Sequence, residues 1–169
     1  MPKDAVDLML KQWLMERPDL DTSALAATVR IQMLHKTFLK LATGSLAKLD
    51  LELWEYDVLS ALRRQGAPFK LAATDLAKAT SLSAGAMTNR IDKLEDKKLV
   101  RREPDPDDRR GVIVGLTTNG IGVIDDAIRL RLDAANDGMR GLNRKERARL
   151  ASLLRKVLLG ATPPAGKRR

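Results

Sequence analysis

The chain has 169 residues, a length that fits one compact domain burying roughly two-thirds of its unfolded surface. It has no cysteine and a single histidine, which excludes disulfides, thiolate metal sites and a cysteine redox sensor and argues against a histidine metal cluster. No apolar run approaches the ~20 residues that span a bilayer, and the N-terminus is unlike a signal peptide. We therefore expect a soluble cytoplasmic protein with no membrane partner.

The net charge of +9 is distributed unevenly along the chain. Residues 140–169 carry ten Lys/Arg and one Asp/Glu, whereas residues 83–115 carry eight and seven. A high isoelectric point favours a polyanionic partner, but here the basic excess lies at the C-terminal end. Charge alone therefore leaves open a weakly specific architectural DNA-binding protein that uses its basic C-terminal segment.

Three helices are predicted in the first third of the chain. The first runs from Asp4 to Glu16, with its apolar face formed by Val6, Met9, Leu10, Trp13 and Leu14. The second runs from about Thr22 to Leu46, with a stripe near Leu25, Thr28, Val29, Gln32, Met33 and Leu39. The third, Trp54 to Gln65, ends at Gly66 and Pro68, two residues that stop helices.

The middle of the chain has the element order of a winged helix-turn-helix. A short helix is predicted over Leu71–Thr80, and a second begins at Ser83, an N-cap residue type, with Met87, Ile91 and Leu94 facing inward. Two strands follow, at 99–103 and 111–116, joined by a proline-containing charged tip at 104–110. In this motif the second helix enters the DNA major groove.

Two further helices are predicted after the wing. Thr117 caps a long helix that carries an apolar stripe of Ile121, Ile124, Ile128, Leu132, Ala135 and Met139. Asn143 and Glu146 form a capping-box pattern for the last helix, whose inward candidates are Leu150, Leu153, Leu154, Val157 and Leu158. From Gly160 the tail is predicted to be disordered. The fold class is mainly α with a small β-hairpin wing (α+β), in a single domain of residues 1–160 followed by a basic tail, 161–169.

Several spaced motifs resemble one protein family. The run Asp108-x-Arg110-x-x-x-Val114-x-Leu116-Thr117-x-x-Gly120, together with MTNRIDKLE and DPDDRR, resembles the wing signature of the MarR family of bacterial transcriptional regulators. The resemblance covers nearly the whole chain. It implies a homodimer of winged helix-turn-helix subunits (about 53–116) held by helices at about 4–47 and 117–159. It also implies a regulator, a repressor rather than an activator, that binds a pseudo-palindromic operator in double-stranded DNA.

The candidate DNA contacts lie at the start of the second helix and at the wing tip. Small and polar side chains there suit base edges, and exposed backbone N–H groups suit phosphate; the candidates are Ser83, Ala84, Gly85, Thr88, Asn89 and Lys93. The resemblance implies that Arg110, held by Asp108, reaches a minor groove with Arg109 beside it at phosphate. The alternative is a solvated tip whose charges merely pair. Nearby, Asp92, Glu95 and Asp96 would repel phosphate unless they face the protein or solvent, or pair with Lys93 and Lys97.

Four residues resemble the ligand constellation of the urate-responsive branch of the MarR family: Trp13, Asp57, Arg90 and Arg102. Two guanidinium groups can hold a flat anion, and an indole can pack on its ring. We expect Asp57 to pair with one arginine in the empty protein and to be repelled by an arriving anion. Urate or another planar anion is the expected effector. The alternatives are a Trp13 core anchor and a structural salt bridge between Asp57 and Arg90.

Catalysis is not expected. The sequence has no GxGxxG motif and no P-loop, and no nucleophile–base pair is visible. The chain is also too short to combine a winged helix with a nucleotide-binding domain, as the dimerisation part of a methyltransferase would need. We therefore predict no cofactor, no metal and no enzymatic activity.

Overall fold

The computed structural model describes residues 2–108 and 111–161, which form seven α-helices and three short strands. The helices are α1 (Ala5–Glu16), α2 (Ser23–Leu46), α3 (Leu53–Arg63), α4 (Ala73–Ala79), α5 (Ala84–Asp96), α6 (Thr118–Gly138) and α7 (Arg144–Ala161). The strands are β1 (Lys70–Ala72), β2 (Val100–Pro104) and β3 (Val112–Leu116). The predicted fold class is confirmed: a mainly helical chain that carries a winged helix-turn-helix.

The predicted helix starts are confirmed by their caps. Ser83 Oγ accepts the backbone N–H of Ala86 at 3.3 Å, and Thr117 Oγ1 accepts that of Gly120 at 2.9 Å. Asn143 and Glu146 form the expected reciprocal capping box at the start of α7. Each cap satisfies backbone donors that the first helical turn leaves free. These short-range patterns fix where α5, α6 and α7 begin.

The predicted helix over Leu71–Thr80 was too long at its start. Leu71 and Ala72 belong to β1, and helix α4 begins only at Ala73. Strand β1 pairs antiparallel with β3, Lys70 opposite Gly115, so the predicted two-stranded hairpin is a three-stranded sheet of order β1-β3-β2. The long-range pairing with β3 overrides the local helical pattern in these two residues.

A continuous hydrophobic core lies between helices α3 to α6 and the sheet. It contains the predicted inward residues Met87, Ile91 and Leu94 of α5, all at most 2% exposed. The start of α6 closes against β2 so tightly that a Cβ at Gly120 would overlap the carbonyl oxygen of Leu99. The winged region is therefore one closely packed body that holds α5 by a full apolar face.

The N-terminal helices pack on this body along α6. The end of α6 touches α2 where Gly138, which has no side chain, allows Phe38 to approach the helix backbone. Helix α1 lies on α2, and Arg30 of α2 joins both Asp4 Oδ2 and Asp7 Oδ1 at 2.8 Å. These contacts fix the two N-terminal helices, although most of their apolar residues stay exposed.

The predicted inward face of α7 is not buried within the single chain. Leu153, Leu154 and Val157 are 39–57% exposed, because they line an open apolar groove between α7 and α2 rather than a closed core. The predicted tail boundary also moves, because Gly160 and Ala161 continue α7. Residues 162–169, the rest of the predicted tail, lie outside the described residues. None of the described helices is both long and apolar enough to cross a bilayer.

Candidate DNA-binding surface and effector cavity

The six predicted DNA contacts of α5 share one exposed surface. Ser83, Ala84, Gly85, Thr88, Asn89 and Lys93 are all exposed, on the side of the helix opposite Met87, Ile91 and Leu94. A Cβ at Gly85 would meet no atom within 4 Å, so the N-terminal turn is open to a close approach. This surface combines the N-terminal turn of a helix with small polar side chains, features that suit groove binding.

Part of the predicted wing contact lies outside the described residues. Arg109 and Arg110 fall in that gap, so their predicted minor-groove and phosphate contacts remain predictions. The described flank is compact, because the backbone N–H of Gly111 donates to the carbonyl of Asp108 at 2.8 Å. Pro104 and Val112, which face each other in the ladder, form the last strand pair before the tip.

Arg102 contacts the DNA-facing helix rather than an open site. Its guanidinium lies 2.6 Å from Glu95 Oε2 and 2.5 Å from Asp92 Oδ1, and it also donates to the carbonyl of Thr88 at 3.3 Å. Of the expected alternatives for the helix acids, Asp92 and Glu95 therefore face the protein, where they pair with Arg102 and not with Lys93 or Lys97. Lys93 instead lies 5.9 Å from the centroid of the Trp54 ring.

Lys97 pairs with a different acid from those expected. Its ammonium lies 2.9 Å from Glu55 Oε1, and Glu55 is 1% exposed. This hydrogen bond is the main cause that raises the pKa of Lys97, and it joins the end of α5 to the first turn of α3. Two elements thus hold α5: the wing contacts it between Thr88 and Glu95, and α3 contacts its C-terminal end.

An open cavity of about 640 Å3 separates α2 from the winged region. Its lining residues are Leu39, Thr43, Leu51, Glu52, Leu53, Trp54, Asp57, Thr80, Leu82 and Arg90. This volume lies within the range of about 300–1,000 Å3 that small-molecule sites occupy. The structure thus brings together two of the four predicted ligand residues, Asp57 and Arg90. Trp13, which is 45% exposed on α1, and Arg102 are not among the residues that line the cavity.

Trp54 is the aromatic residue of this cavity, and the sequence reasoning missed it. The Arg90 guanidinium lies 5.2 Å from its ring centroid, and its indole N–H donates to Glu52 at 2.7 Å. The predicted ion pair of the empty protein is not formed, because among the described residues no carboxylate oxygen of Asp57 lies within 4 Å of Arg90. The only sequence signal for Trp54 was its position one helical turn before Asp57.

Asp57 lies among positive charges but is not strongly stabilised by them. Surrounding protein raises the pKa of its carboxyl, and Arg131, Arg90 and Arg64 act in the opposite direction. Arg131 of α6 lies 5.6 Å from the Tyr56 ring centroid, and its buried Nε has no hydrogen-bond partner within the part of the chain that the structure describes. A carboxyl whose ionised form is disfavoured by burial, near a guanidinium donor without a hydrogen-bond partner, is a common feature of binding sites.

The comparisons with known proteins agree with this geometry. The family model described as "MarR family" matches residues 49–111. The chain is 28% identical to the HTH-type transcriptional regulator PecS of Dickeya dadantii over 149 residues, 88% of this chain and 90% of PecS. It is 33% identical to the multiple antibiotic resistance protein MarR of Escherichia coli over 129 residues, 76% of this chain and 88% of MarR.

Two solved structures share the fold. A mutant of Escherichia coli MarR complexed with operator DNA aligns with a TM-score of 0.68 at 30% identity, covering 86% of this chain and 97% of that chain. Bordetella bronchiseptica BpsR, whose DNA binding is regulated by 6-hydroxynicotinic acid, aligns with a TM-score of 0.64 at 28% identity, covering 75% and 94%. Family members of this kind are transcriptional regulators, not enzymes. By its motifs, its fold and these relatives, the chain belongs to the MarR family of winged helix-turn-helix transcriptional regulators.

Proposed function

We propose that this regulator is a homodimeric repressor that binds a pseudo-palindromic operator and releases it when a planar anion, such as urate, occupies the cavity beside Trp54. One observation carries the proposal. Arg90 lines the cavity, while its sequence neighbour Asn89 lies on the DNA-facing surface of the same helix. A ligand that moves Arg90 therefore acts directly on the helix that contacts DNA.

The DNA part of the proposal rests on the exposed surface of α5. Its N-terminal turn is open, and Asn89 and Lys93 continue the same face. One chain presents one such helix, which reaches only a single half-site. Two copies with half-sites roughly 34–36 Å apart would read one pseudo-palindrome, and this spacing matches one turn of the duplex. The operator complex of the related MarR supports this mode of binding.

The dimer part rests on the apolar groove between α2 and α7. Its volume is about 500 Å3, and its lining is almost wholly apolar: Ala27, Arg30, Ile31, Leu34, His35, Phe38, Met139, Leu150, Leu153, Leu154 and Val157. Contiguous exposed apolar surface of this kind marks a protein interface. A second copy would supply the matching helices, because a twofold interface uses the same surface on both chains.

The ligand part rests on the chemistry around Arg90. Its guanidinium is held on the face of Trp54 rather than in an ion pair, so it keeps donors available for an anion. A flat anion can pack on the indole and pair with this guanidinium. Asp57, which lines the same cavity, would be repelled by the anion. The regulation of BpsR by a planar aromatic acid supports this class of effector.

The coupling follows from differential contacts. The ligand must bind the DNA-free arrangement more tightly than the DNA-bound arrangement, since otherwise it shifts no equilibrium. The anion would attract Arg90 of α5 and repel Asp57 of α3, so it would act on the two helices in opposite directions. The distance between these helices would therefore differ with and without the anion, and the separation of the two DNA-facing helices in the dimer would differ with it.

The test is a titration of the protein on its own upstream intergenic DNA, with and without urate at constant salt, followed by fluorescence anisotropy. We expect specific binding that urate reverses. The chain has two tryptophans, Trp13 and Trp54, so W54L and W13L form a matched pair of variants. Urate affinity, measured by calorimetry, should fall in W54L and persist in W13L. Loss in W13L alone would favour the site predicted from the resemblance.

Two other outcomes would redirect the proposal. Specific binding that ignores urate would keep the regulator and shift the effector search to other planar anions. Equal affinity for all DNA sequences, lost when residues 162–169 are removed, would instead support an architectural protein that binds through its basic C-terminal segment. Salt titrations separate these cases, because non-specific contacts weaken more steeply with salt than base contacts do.

A further inference from the structure

Arg102 sits between two parts of the winged region that must act together. It belongs to β2, where it pairs with Val114 of β3, and its side chain crosses to α5. Besides the guanidinium contacts to Glu95, Asp92 and the Thr88 carbonyl, its backbone N–H donates to Glu95 Oε1 at 3.1 Å. One residue of the wing therefore holds three positions of the helix through four hydrogen bonds.

The three acceptors form one line along α5. Thr88, Asp92 and Glu95 follow each other at spacings of four and three residues, so they share the side of the helix that faces the wing. A planar guanidinium with several fixed donors can serve these acceptors at the same time, which an ammonium group cannot do. The contact therefore sets the rotation of the helix relative to the strand as well as the distance between them.

The same contact changes the charge of the DNA-facing helix. Asp92 is exposed, and two unpaired carboxylates next to the groove surface would repel phosphate. Both of the ion pairs that Asp92 and Glu95 form within the described residues go to Arg102. The lysines of this helix segment have other partners: Lys93 lies against Trp54, and Lys97 pairs with Glu55.

We propose that Arg102 is a positioning residue for DNA binding, which locks the wing to α5 and neutralises the two acids of that helix, rather than a ligand contact. This inference rests on the DNA-binding part of the proposed function and is independent of the effector. In a dimer, each subunit must place α5 in the major groove and the wing beside it. A rigid joint between the two removes the entropy that docking would otherwise cost.

The first experiment compares R102A with the matched control R101A. Arg101 is the preceding strand residue with the same charge, and its side chain pairs with Glu103 at 2.8 Å instead of with α5. We expect R102A to weaken operator binding at least about tenfold more than R101A, because it loses the joint as well as one charge. Urate affinity of the DNA-free protein should stay within about twofold of wild type in both variants.

The second experiment separates charge from simple loss of structure. The triple variant R102A/D92N/E95Q removes the cation together with the two acids. We expect it to recover part of the operator affinity that R102A alone loses, because neutral side chains no longer repel phosphate. A merely structural role predicts no recovery, since the joint is absent in both variants. In that case the neutralising part of the proposal is wrong.

A third measurement holds even if no operator is bound. Amide hydrogen exchange of residues 84–104 in the free protein should be faster in R102A than in R101A, because the lock stabilises α5 and β2 without DNA. Equal exchange in the two variants, or a loss of urate affinity in R102A with unchanged operator affinity, would overturn the proposal. Faster exchange in R102A without DNA binding by the wild type would keep the lock and reject the proposed function instead.

Discussion

The winged region and the helical arms differ in how far they bury their apolar side chains. Residues 53–108 and 111–116 bury most of their apolar side chains within one chain, and in these described ranges Val112 is the single large hydrophobic residue that is exposed. The arms, formed by α1, α2, the end of α6 and α7, expose leucine, isoleucine, methionine and valine side chains along most of their length. The winged region therefore has a closed hydrophobic core, whereas the arms carry apolar faces that stay exposed in the single chain.

This difference separates two kinds of stability. The winged region depends on contacts within the chain, so its folding should be insensitive to protein concentration. In the proposed dimer the exposed apolar side chains of the arms would gain contacts from a second molecule, so the order of the arms should follow mass action. A dimer built in this way would keep the shape of each DNA-binding surface and change the relative placement of the two.

The largest effect is expected from charges in the groove of the arms. In L154D/V157D, two acids replace side chains that line the groove between α2 and α7. Burying unpaired carboxylates is costly, so we expect the dimer to dissociate at least about 100 times more readily. Sedimentation equilibrium measures this change. Operator binding should disappear with the dimer, because one half-site offers too few contacts.

The matched control places the same charges on the opposite face of α7. Ala148 and Ser152 are both exposed there, and A148D/S152D adds two acids without touching the groove. We expect this variant to remain dimeric and to bind the operator. Dimers that persist in L154D/V157D would mean that the arms associate through another surface. The near-UV circular dichroism of both variants should stay native, since the core of the winged region is unchanged.

The next effect concerns the core of the winged region. At Gly120 a Cβ would overlap the Leu99 carbonyl, whereas at Gly122, two residues further along α6, it would meet nothing within 4 Å. We expect G120A to lower the free energy of unfolding by about 1–3 kcal/mol through overpacking. G122A should raise it by up to about 1 kcal/mol, since alanine favours a helix. Urea denaturation at one fixed protein concentration measures both.

This pair also explains a glycine of the wing signature. Gly120 closes the motif that runs from Asp108 through Thr117, and the structure gives it a packing reason rather than a role at DNA. If G120A proved as stable as wild type, the start of α6 would have room to move away from β2. The close contact between Gly120 of α6 and the Leu99 carbonyl would then not be rigid.

Short-range chemistry is what the sequence predicts well. The N-caps at Ser83 and Thr117 and the apolar spacing of α5 needed only nearby residues, and the structure confirms them. Strand β1 was missed because its three residues are too few to show a period. Their state is decided by pairing with β3, where Lys70 lies opposite Gly115.

The sequence could not predict which side chains from distant parts of the chain pair with each other. The acids of α5 had lysines nearby in sequence, yet Arg102 from the wing pairs with Asp92 and Glu95. Likewise Trp54 of α3 meets Arg90 of α5, a contact between two helices that no local pattern encodes. The resemblance named four ligand candidates, but only the packing shows which of them share a cavity.

A smaller effect is expected on the docking of α1 against α2. Arg30 forms ion pairs with Asp4 and Asp7, and its hydrogen bond is the main cause that lowers the pKa of Asp4 to about 2. Because the folded value lies below the ordinary 3.8, this stabilisation is complete above that value and is lost as the pH falls toward 2. We expect α1 to detach from α2 in that window, which proton NMR of Asp4 and hydrogen exchange of α1 can follow.

R30Q tests the same contact at neutral pH. It should release α1 and speed its amide exchange while the exchange of residues 53–63 stays unchanged, because α3 belongs to the closed core. Lys40 of the same helix is exposed, so K40Q is the control that removes one charge without touching α1. Protection of α1 that survives in R30Q would assign its docking to Val6, which is 2% exposed, instead of to the ion pairs.

The smallest effect lies at the boundary between arms and winged region, where Asp57 and Asp125 have opposite pKa shifts. Burial raises the pKa of Asp57, whereas a hydrogen bond from Arg63 at 2.7 Å lowers that of Asp125. A raised acid pKa means that ionised Asp57 destabilises the fold, so D57N should slightly increase the melting temperature at pH 7. D125N should decrease it. The D57N difference should vanish below the ordinary pKa of 3.8, where the carboxyl is neutral in both states, whereas the D125N difference should be lost only as the pH falls through the lowered pKa of folded Asp125. A lower melting temperature for D57N at pH 7 would instead mean that Arg131, Arg90 and Arg64 outweigh burial, and that Asp57 is a structural ion-pair partner. The expected sign fits a carboxylate kept at the cavity for its effect on an incoming anion, at a small cost in stability.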